Sequence, residues 1–240
     1  MKDDITRNKD KDVFGDALWS FQKKSSNKEI ITWTNLTDED PVKIKYFFRD
    51  YENMPKIEKK ALKMCKGKVL DIGCGAGSHG LYIQNNMKMS VIGIDDSKRA
   101  VEVSKERGLK KVVLKSIWDY KAEGFDTILL LMNGMGIAKS IDNLSPFLLH
   151  LKKKLNHGGQ ILVDSSDLIY LFDEEDIALW EKDKLYYGEV DYGISFENNT
   201  ESFPWLYIGF EKLEKIAKKN NLKCELIIKG DNYDYLAKIF

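Results

Sequence analysis

Short apolar runs alternate with amphipathic segments through the middle of the chain, and this alternation restricts the fold more than any other feature of the sequence. The apolar runs lack the regular polar positions of a strand with one wet face, so each predicts a strand buried on both faces. The amphipathic segments between them predict helices that cover the sheet. The predicted strands are KVLDIG, SVIGID, KVVLKS, FDTILLLMN and GQILVDS, in chain order. This order predicts a mostly parallel sheet with helices on both faces.

The last part of the chain has a different pattern. Residues 184–208 alternate in part and carry Asn198-Asn199 at a predicted turn, which predicts a β-hairpin inserted after the fifth strand. Residues 209–240 then predict a closing helix and two further strands. We therefore expect an α/β fold, a three-layer sandwich with a mostly parallel seven-stranded sheet.

The start of the chain predicts a tail and a cap. Residues 1–12 alternate in charge and have few apolar groups, which predicts a disordered tail. Residues 13–53 are rich in aromatic side chains without a clean period, and we interpret them as an N-terminal helical cap. The core of the sheet is expected at 54–165, so that 13–240 forms a single domain.

The charge balance and the cysteine spacing exclude several classes of protein. Lys and Arg together number 38, as do Asp and Glu, so the chain has no excess of positive charge for DNA or for an anionic membrane. No apolar stretch is long enough to cross a bilayer, and the charged start predicts a cytoplasmic protein without a signal peptide. Cys65, Cys74 and Cys224 lie far apart without a CxxC pair, so neither disulfides nor a metal site is predicted.

The turn after the first predicted strand indicates the kind of ligand. Within VLDIGCGAGSHG, glycine occupies every second position at Gly73, Gly75 and Gly77. A dinucleotide fingerprint of the form G-x-G-x-x-G would need glycine where Ser78 stands, so a nicotinamide oxidoreductase is disfavoured. The carboxylate of Asp71 would repel a pyrophosphate and attract an ammonium or sulfonium. The turn therefore favours a cationic ligand with a compact tail.

A second acid supports this interpretation. Asp95 ends the second predicted strand, near the spacing of roughly 20 residues at which an acid accepts the two hydroxyls of an adenosine ribose. Asp96 follows immediately. No glycine is followed by the Lys-Ser or Lys-Thr of a phosphate-binding P-loop, so that kind of ATP site is excluded.

At these residues the chain resembles a known family. The segments VLDIGCGAG and VIGIDDS are similar to the first two motifs of the class I S-adenosylmethionine-dependent methyltransferases. The resemblance covers roughly residues 56–165 and 209–240, and it implies a Rossmann-like fold with the cofactor bound by the 54–165 core. It implies S-adenosylmethionine as cofactor and S-adenosylhomocysteine as product. The residues implied at the methionine end are Asp71, Gly73, Gly75 and Gly77, and those at the ribose are Asp95 and its neighbour Asp96.

Two further segments complete the implied site. Ser116-Ile117 stands where the family flanks the adenine, although the family often has an acid at the first of these positions. Met132 and Asn133 end the fourth predicted strand, where they would face the cofactor and the substrate.

Methyl transfer from a sulfonium is an in-line substitution that needs alignment and a dry site, sometimes helped by a base. The catalytic candidates at strand and helix ends are Asn133, Asp164 and His79. His79 also suits local packing at the start of a helix, and Asp164 and Asp167 also suit capping of the following turn. Few residues need be catalytic in the strict sense.

The sequence predicts a methyltransferase acting on an oxygen or nitrogen atom of a small-molecule acceptor. The aromatic cap and the inserted hairpin could together enclose a pocket, and there is no charge excess for a polymer. Two alternatives stay open: methylation of RNA or protein, and an S-adenosylmethionine-binding module without transfer activity. The segment MNGM lacks the Asn/Asp-Pro-Pro-aromatic motif that resembles amino-methylating nucleic-acid enzymes, which disfavours adenine-N6 methylation but not other polymer targets. DNA is not expected as a partner, because the chain has no excess of positive charge. The acceptor and the oligomeric state do not follow from the sequence.

Overall fold

The computed structural model describes residues 11–25, 28–182 and 185–240. The helices are α1 Val13–Lys24, α2 Lys56–Met64, α3 Ser78–Asn85, α4 Lys98–Glu106, α5 Ile141–Lys154, α6 Glu174–Lys182 and α7 Phe210–Lys219. The strands are β1 Glu29–Thr34, β2 Thr37–Lys43, β3 Val69–Ile72, β4 Val91–Asp95, β5 Val112–Leu114, β6 Phe125–Leu130, β7 Leu155–Ser166, β8 Glu189–Phe196, β9 Asn199–Leu206, β10 Cys224–Lys229 and β11 Asp234–Ile239. Short 3₁₀ segments occupy Ile44–Phe48, Tyr51–Asn53, Gly134–Ala138 and Leu168–Leu171.

Seven strands form the main sheet, in the order β10-β11-β7-β6-β3-β4-β5. β4 pairs with β5 and β6 pairs with β7 in parallel, whereas β11 is antiparallel to both β7 and β10. All four residues of β3 are buried, as are five of the six in β6. Burial on both faces explains why these strands lack polar alternation in sequence. The α/β class and the mostly parallel seven-stranded sheet are confirmed.

Residues of the chain group into two compact units. The first comprises Met1–Met54, Leu70–Lys121 and Asp191–Pro204, and the second comprises Pro55–Val69, Ala122–Val190 and Trp205–Phe240. In the first unit, one apolar core is shared by α1, β1, α4 and β8, with these buried members among others: Val13, Leu18, Ile30, Val103 and Ile194. This core fixes the N-terminal segment against α4, the helix that follows β4. The domain boundaries given above remain predictions.

The prediction of a helical cap over 13–53 agrees with α1 and with the 3₁₀ segments Ile44–Phe48 and Tyr51–Asn53, and it is wrong for residues 29–43. β1 and β2 form an antiparallel hairpin, and β1 also pairs antiparallel with β8, so that a second sheet runs in the order β2-β1-β8-β9. The sequence EIITWT is rich in β-branched and aromatic residues that suit a strand. Its partner β8 lies more than 150 residues further along the chain, and the tertiary pairing of such distant segments leaves no local signal.

The structure shifts the end of the predicted tail and the turn of the predicted hairpin by one residue each. Residues 1–10 of the predicted tail and Lys184, the first residue of the predicted hairpin, lie outside the described residues. Asp12, which the sequence analysis placed in the tail, is the N-cap of α1. β8 and β9 are neighbours joined by a two-residue turn at Glu197-Asn198, one position earlier than the predicted Asn198-Asn199. None of the described helices has the length and apolar composition needed to cross a membrane.

Candidate functional site

The glycine-rich turn after β3 adopts a conformation that requires glycine. Gly73, Gly75 and Gly77 have φ values of 68°, 53° and 82°, in the left-handed region that other residues rarely adopt. Gly73 donates a hydrogen bond of 2.9 Å to the carbonyl of Ile94 in β4. Among the described residues, a Cβ atom at Gly75 would meet only the ring of Phe14 within 4 Å, at 3.8 Å. The backbone of Gly75 is therefore open to close approach by a ligand.

Asp95 is bonded directly to this turn. Its Oδ2 accepts the Gly75 N–H at 2.8 Å, and its Oδ1 accepts the Ser97 N–H at 2.9 Å. The side chain is half-buried and its neighbour Asp96 is exposed. The structure thus brings the glycine turn and the predicted ribose acid together, with the carboxylate held in one orientation by two backbone donors.

Asp71 lies beneath the start of α3. Burial raises the pKa of its carboxyl, while the charge of His79 and the N–H of Gly80 oppose the rise. Its Oδ2 is buried and has no hydrogen-bond partner among the described residues. His79 is itself buried, which matches the packing role considered for it at a helix start. The structure therefore places Asp71 and His79 together, beside the first turn of α3.

The predicted adenine segment follows β5. Ile117 is 3% exposed, whereas Ser116 is half-buried. The hydroxyl oxygen of Ser116 accepts the Trp118 N–H at 3.3 Å, so this side chain caps a local turn. Trp118, which no sequence motif marks, is 39% exposed. An apolar residue and an aromatic ring therefore lie side by side in the chain after β5.

Arg107 is a residue of this region that sequence reasoning missed. Its guanidinium donates to the carbonyl of Ala76 at 2.6 Å, to the hydroxyl of Ser78 at 3.1 Å and to the carbonyl of Phe48 at 3.2 Å. Burial lowers its pKa. Favourable interaction with the helix dipole is enough to explain an arginine at the C-terminal end of a helix. The position of Arg107 in the sequence therefore does not indicate a role at the glycine turn. Arg107 joins the glycine turn to the 3₁₀ segment at Ile44–Phe48.

In the second unit, Asp164 holds the turn after β6. Its carboxylate accepts the backbone N–H groups of Met132 at 3.0 Å, Asn133 at 2.7 Å and Gly134 at 3.4 Å. Burial raises the pKa of Asp164 to about 7, the charge of Glu58 adds to the rise, and the three N–H groups oppose it. Consecutive N–H groups directed at one carboxylate form an anion-binding concavity.

The side chain of Asn133 is oriented by the neighbouring strand. The hydroxyl of Ser166 lies 3.0 Å from the amide oxygen of Asn133 and donates to it. The amide nitrogen of Asn133 is thereby fixed in direction. Asn133, Asp164 and Ser166 form one cluster at the carboxyl ends of the parallel strands β6 and β7, which is the edge where ligands bind in open α/β sheets.

An aromatic cluster with one acid follows β7. The Tyr187 hydroxyl donates to Asp167 Oδ1 at 2.7 Å, and the Tyr186 and Tyr187 rings lie 4.6 Å apart. The Phe172 ring lies 5.5 Å from that of Tyr187. Burial raises the pKa of Tyr186 to about 12 and raises that of Tyr187 as well. Asp167 also accepts the Ile169 N–H at 3.0 Å, which is the capping role considered for it from the sequence.

Comparisons with known proteins bear on this site. A family model described as a methyltransferase domain matches residues 65–236. Curated protein sequences gave no match.

Solved structures resemble the chain over most of its length. The structure of a SAM-dependent methyltransferase from Bacteroides fragilis, in complex with S-adenosyl-L-homocysteine, is 39% identical, with a TM-score of 0.87 over 96% of this chain and 94% of that one. The CcbJ methyltransferase from Streptomyces caelestis is 14% identical, with a TM-score of 0.54 over 79% and 93%. An S-adenosylmethionine-dependent methyltransferase from Clostridium acetobutylicum is 14% identical, with a TM-score of 0.54 over 80% and 92%. The last two show likeness of fold alone.

Proposed function

Because the chain belongs to the class I S-adenosylmethionine-dependent methyltransferases, we propose that it transfers a methyl group to an oxygen or nitrogen atom of a small-molecule acceptor. The observation that carries the cofactor part of this proposal is the hydrogen bond between Gly75 and Asp95, which joins an open glycine backbone to a carboxylate fixed at the next strand end. A relative of 39% identity binds S-adenosylhomocysteine, the product expected of this reaction.

The residues of the first unit fit the cofactor. The bare backbone at Gly75 leaves space that a Cβ atom would fill, and a ligand tail can approach it closely. The half-buried carboxylate of Asp95 is held at the end of β4 by two backbone N–H groups, and a carboxylate is the group expected to accept the two ribose hydroxyls. We assign Gly73, Gly75 and Gly77 to the methionine end and Asp95 to the ribose, with Asp96 beside it.

Asp71 and Ser116, two of the predicted cofactor residues, are assigned supporting roles rather than direct contact with the cofactor. The buried carboxylate of Asp71 lies against the start of α3, so we assign it the role of holding that helix and supplying negative charge near the turn. Ser116 caps its own turn, so the adenine contact in this segment falls to buried Ile117. Neither assignment requires an acid at position 116.

S-adenosylmethionine, when bound, supplies an activated methyl group on a sulfonium. The chain itself needs to orient the acceptor and exclude water, and the proton that the acceptor heteroatom loses passes to bulk water. Asn133, with its amide oxygen occupied by Ser166, presents its N–H₂ group to hold an acceptor heteroatom. Both oxygens of Asp164 accept backbone N–H groups, so we assign it to positioning the 132–134 turn rather than to proton abstraction.

The aromatic cluster after β7 supports a small organic acceptor. The rings of Phe172 and Tyr186 pack against that of Tyr187, whose hydroxyl donates to the carboxylate of Asp167. Small-molecule sites typically combine apolar and aromatic walls with a few polar groups that fix orientation. The equal numbers of acidic and basic residues supply no general attraction for a nucleic acid.

Calorimetric titration with S-adenosylmethionine and S-adenosylhomocysteine tests the site. We expect binding by the unaltered protein and its loss in Asp95→Ala, with Asp38→Ala as the matched control because Asp38 is an exposed acid on β2. Unchanged affinity in Asp95→Ala would reject the site.

Incubation of the protein with methyl-labelled cofactor and fractionated cell extract tests the acceptor. Label in the small-molecule fraction is expected. Label recovered in RNA or protein would overturn the acceptor class. No turnover with any fraction, despite cofactor binding, would favour a binding module without transfer activity.

A further inference from the structure

One carboxylate, that of Asp12, caps the N-termini of two helices. Its Oδ1 accepts the Gly15 N–H at 3.2 Å in the first turn of α1. Its Oδ2 accepts the Ser97 hydroxyl at 2.9 Å and the Arg99 N–H at 3.1 Å, at the start of α4. Carboxylates stabilise helix N-termini by accepting unpaired N–H groups and by opposing the helix dipole. Asp12 does this for α1 and α4 at the same time.

Ser97 connects this shared cap to the cofactor acid. While its hydroxyl bonds to Asp12, its backbone N–H donates to Asp95 Oδ1 at 2.9 Å. The other oxygen of Asp95 accepts the Gly75 N–H at 2.8 Å. A continuous series of hydrogen bonds therefore runs from Asp12 through Ser97 and Asp95 to Gly75. Ser97 is 3% exposed, so water competes little for these bonds.

The first turn of α1 also packs closely on the same elements. A Cβ atom at Gly15 would lie 2.4 Å from the hydroxyl oxygen of Ser97, so only glycine allows this approach. The Phe14 ring lies 3.8 Å from a Cβ placed on Gly75, and it packs edge-on against Phe47, with ring centroids 4.9 Å apart. Arg99 extends the contact, since its guanidinium lies 4.6 Å from the centroid of the Trp19 ring in α1. Helix α1 thus touches both the glycine turn and the loop after β4.

We propose that Asp12 is a positioning residue of the cofactor site, which couples the docking of α1 onto α4 to the binding of S-adenosylmethionine. The inference rests on the proposed function, because it takes Asp95 as the ribose acid. When α1 is docked, Ser97 is held by Asp12 and in turn fixes the direction of the Asp95 carboxylate. Docking of α1 should therefore strengthen cofactor binding. By linkage, cofactor binding must then stabilise docked α1 by the same free energy by which docking strengthens binding.

The test compares two variants with a matched control. Asp12→Ala removes the cap, and Asp12→Asn keeps one acceptor oxygen in place of two. Ser140→Ala is the control, because Ser140 is the N-cap of α5, accepts the Asn143 N–H at 3.3 Å and lies in the second unit. We expect Asp12→Ala to weaken S-adenosylhomocysteine binding by about fivefold or more, Asp12→Asn to weaken it less, and Ser140→Ala to leave it unchanged.

A second measurement separates positioning from a loss of stability alone. Hydrogen exchange of the amides in Val13–Lys24 should slow when S-adenosylhomocysteine is added to the unaltered protein, and this protection should disappear in Asp12→Ala. Equal affinity in Asp12→Ala and the unaltered protein, or protection of α1 independent of ligand, would overturn the inference.

Asp95→Ala, measured in parallel, separates this inference from the proposed site. If Asp95→Ala loses binding and Asp12→Ala does not, the proposed site stands and the coupling is rejected. If Asp95→Ala binds normally, the proposed site fails and the coupling to it fails as well.

Discussion

The Asp164 carboxylate accepts the Asn133 N–H at 2.7 Å and so fixes a strained turn at the end of β6. Met132 and Asn133 have φ values of 66° and 57°, a region that costs L-residues roughly 1–2 kcal/mol each. Donation by Met132, Asn133 and Gly134 to one acceptor offsets this cost. The conformation of the turn therefore depends on Asp164. Substitutions at Asp164 should lower the stability of the folded protein more than they lower the rate of methyl transfer.

The stability of the protein should depend on pH through Asp164. Burial raises the pKa of Asp164 to about 7 in the folded chain, against an ordinary value of 3.8. The folded state therefore binds the proton more tightly than the unfolded state, and the contribution of this group to stability is lost as the pH rises from about 4 to about 7. In Asp164→Asn this dependence is absent. The melting temperature of the unaltered protein should thus exceed that of Asp164→Asn by more at pH 5 than at pH 8.

Asp126→Asn is the control for this pH dependence. Hydrogen bonds from Asn156 and from the Lys68 backbone lower the pKa of Asp126 below 3.8, so its contribution is complete above about pH 4 and is lost only below it. The melting temperatures of the unaltered protein and Asp126→Asn should differ by the same amount at pH 5 and pH 8. A difference between the unaltered protein and Asp164→Asn that is also constant over this range would contradict the elevated pKa.

Arg107→Lys should weaken cofactor binding although it conserves charge. The guanidinium reaches the carbonyls of both Ala76 and Phe48, and a lysine ammonium lacks the planar fork that spans two such acceptors. Each lost bond from a charged donor is worth about 1.5–3 kcal/mol. We expect a lower melting temperature and a higher Kd for S-adenosylhomocysteine. Lys105→Ala, on an exposed position of the same last helical turn, should change neither quantity.

Gly136→Ala should destabilise the second unit by crowding Trp205. A Cβ atom at Gly136 would lie 1.8 Å from the indole ring, so the ring must move. Overpacking of this kind costs typically about 1–3 kcal/mol, which urea unfolding can measure. In a Trp205→Ala background the same substitution should cost much less, because the obstructing ring is gone. An equal cost in both backgrounds would show that the indole is not the cause.

Much of the sheet and part of the candidate site could be predicted from local sequence. The role of Ser97 as the N-cap of α4 is predictable from sequence, because a capping side chain bonds to an N–H only three residues away. Its hydroxyl accepts the Ala100 N–H at 2.9 Å. The glycine turn and Asp95 were predictable because chain direction and strand length alone bring them to the ends of adjacent strands. The family assignment from these motifs is confirmed by the match over residues 65–236.

Other features were missed because their causes are distant in sequence. The residues of β1 suit a strand, but β1 becomes part of a sheet by pairing with the distant β8, where Trp33 lies opposite Gly193. Helix α6 was not predicted at all, although Glu174, Glu175 and Asp176 give it an acidic first turn. Acidic residues of this kind also occur in loops, so composition could not distinguish the two.

By itself, the sequence determined the alternation of strands and helices, the glycine turn and the acid that follows it, since each depends on neighbours within a few residues or on the period of burial. Only the tertiary structure decided that Asp12 caps α4 in addition to α1, that Arg107 holds the turn to Phe48 and that Asp164 supports Asn133. These contacts join residues from about 30 to nearly 90 positions apart, and a side chain with several possible partners is assigned one of them only when packing fixes its position.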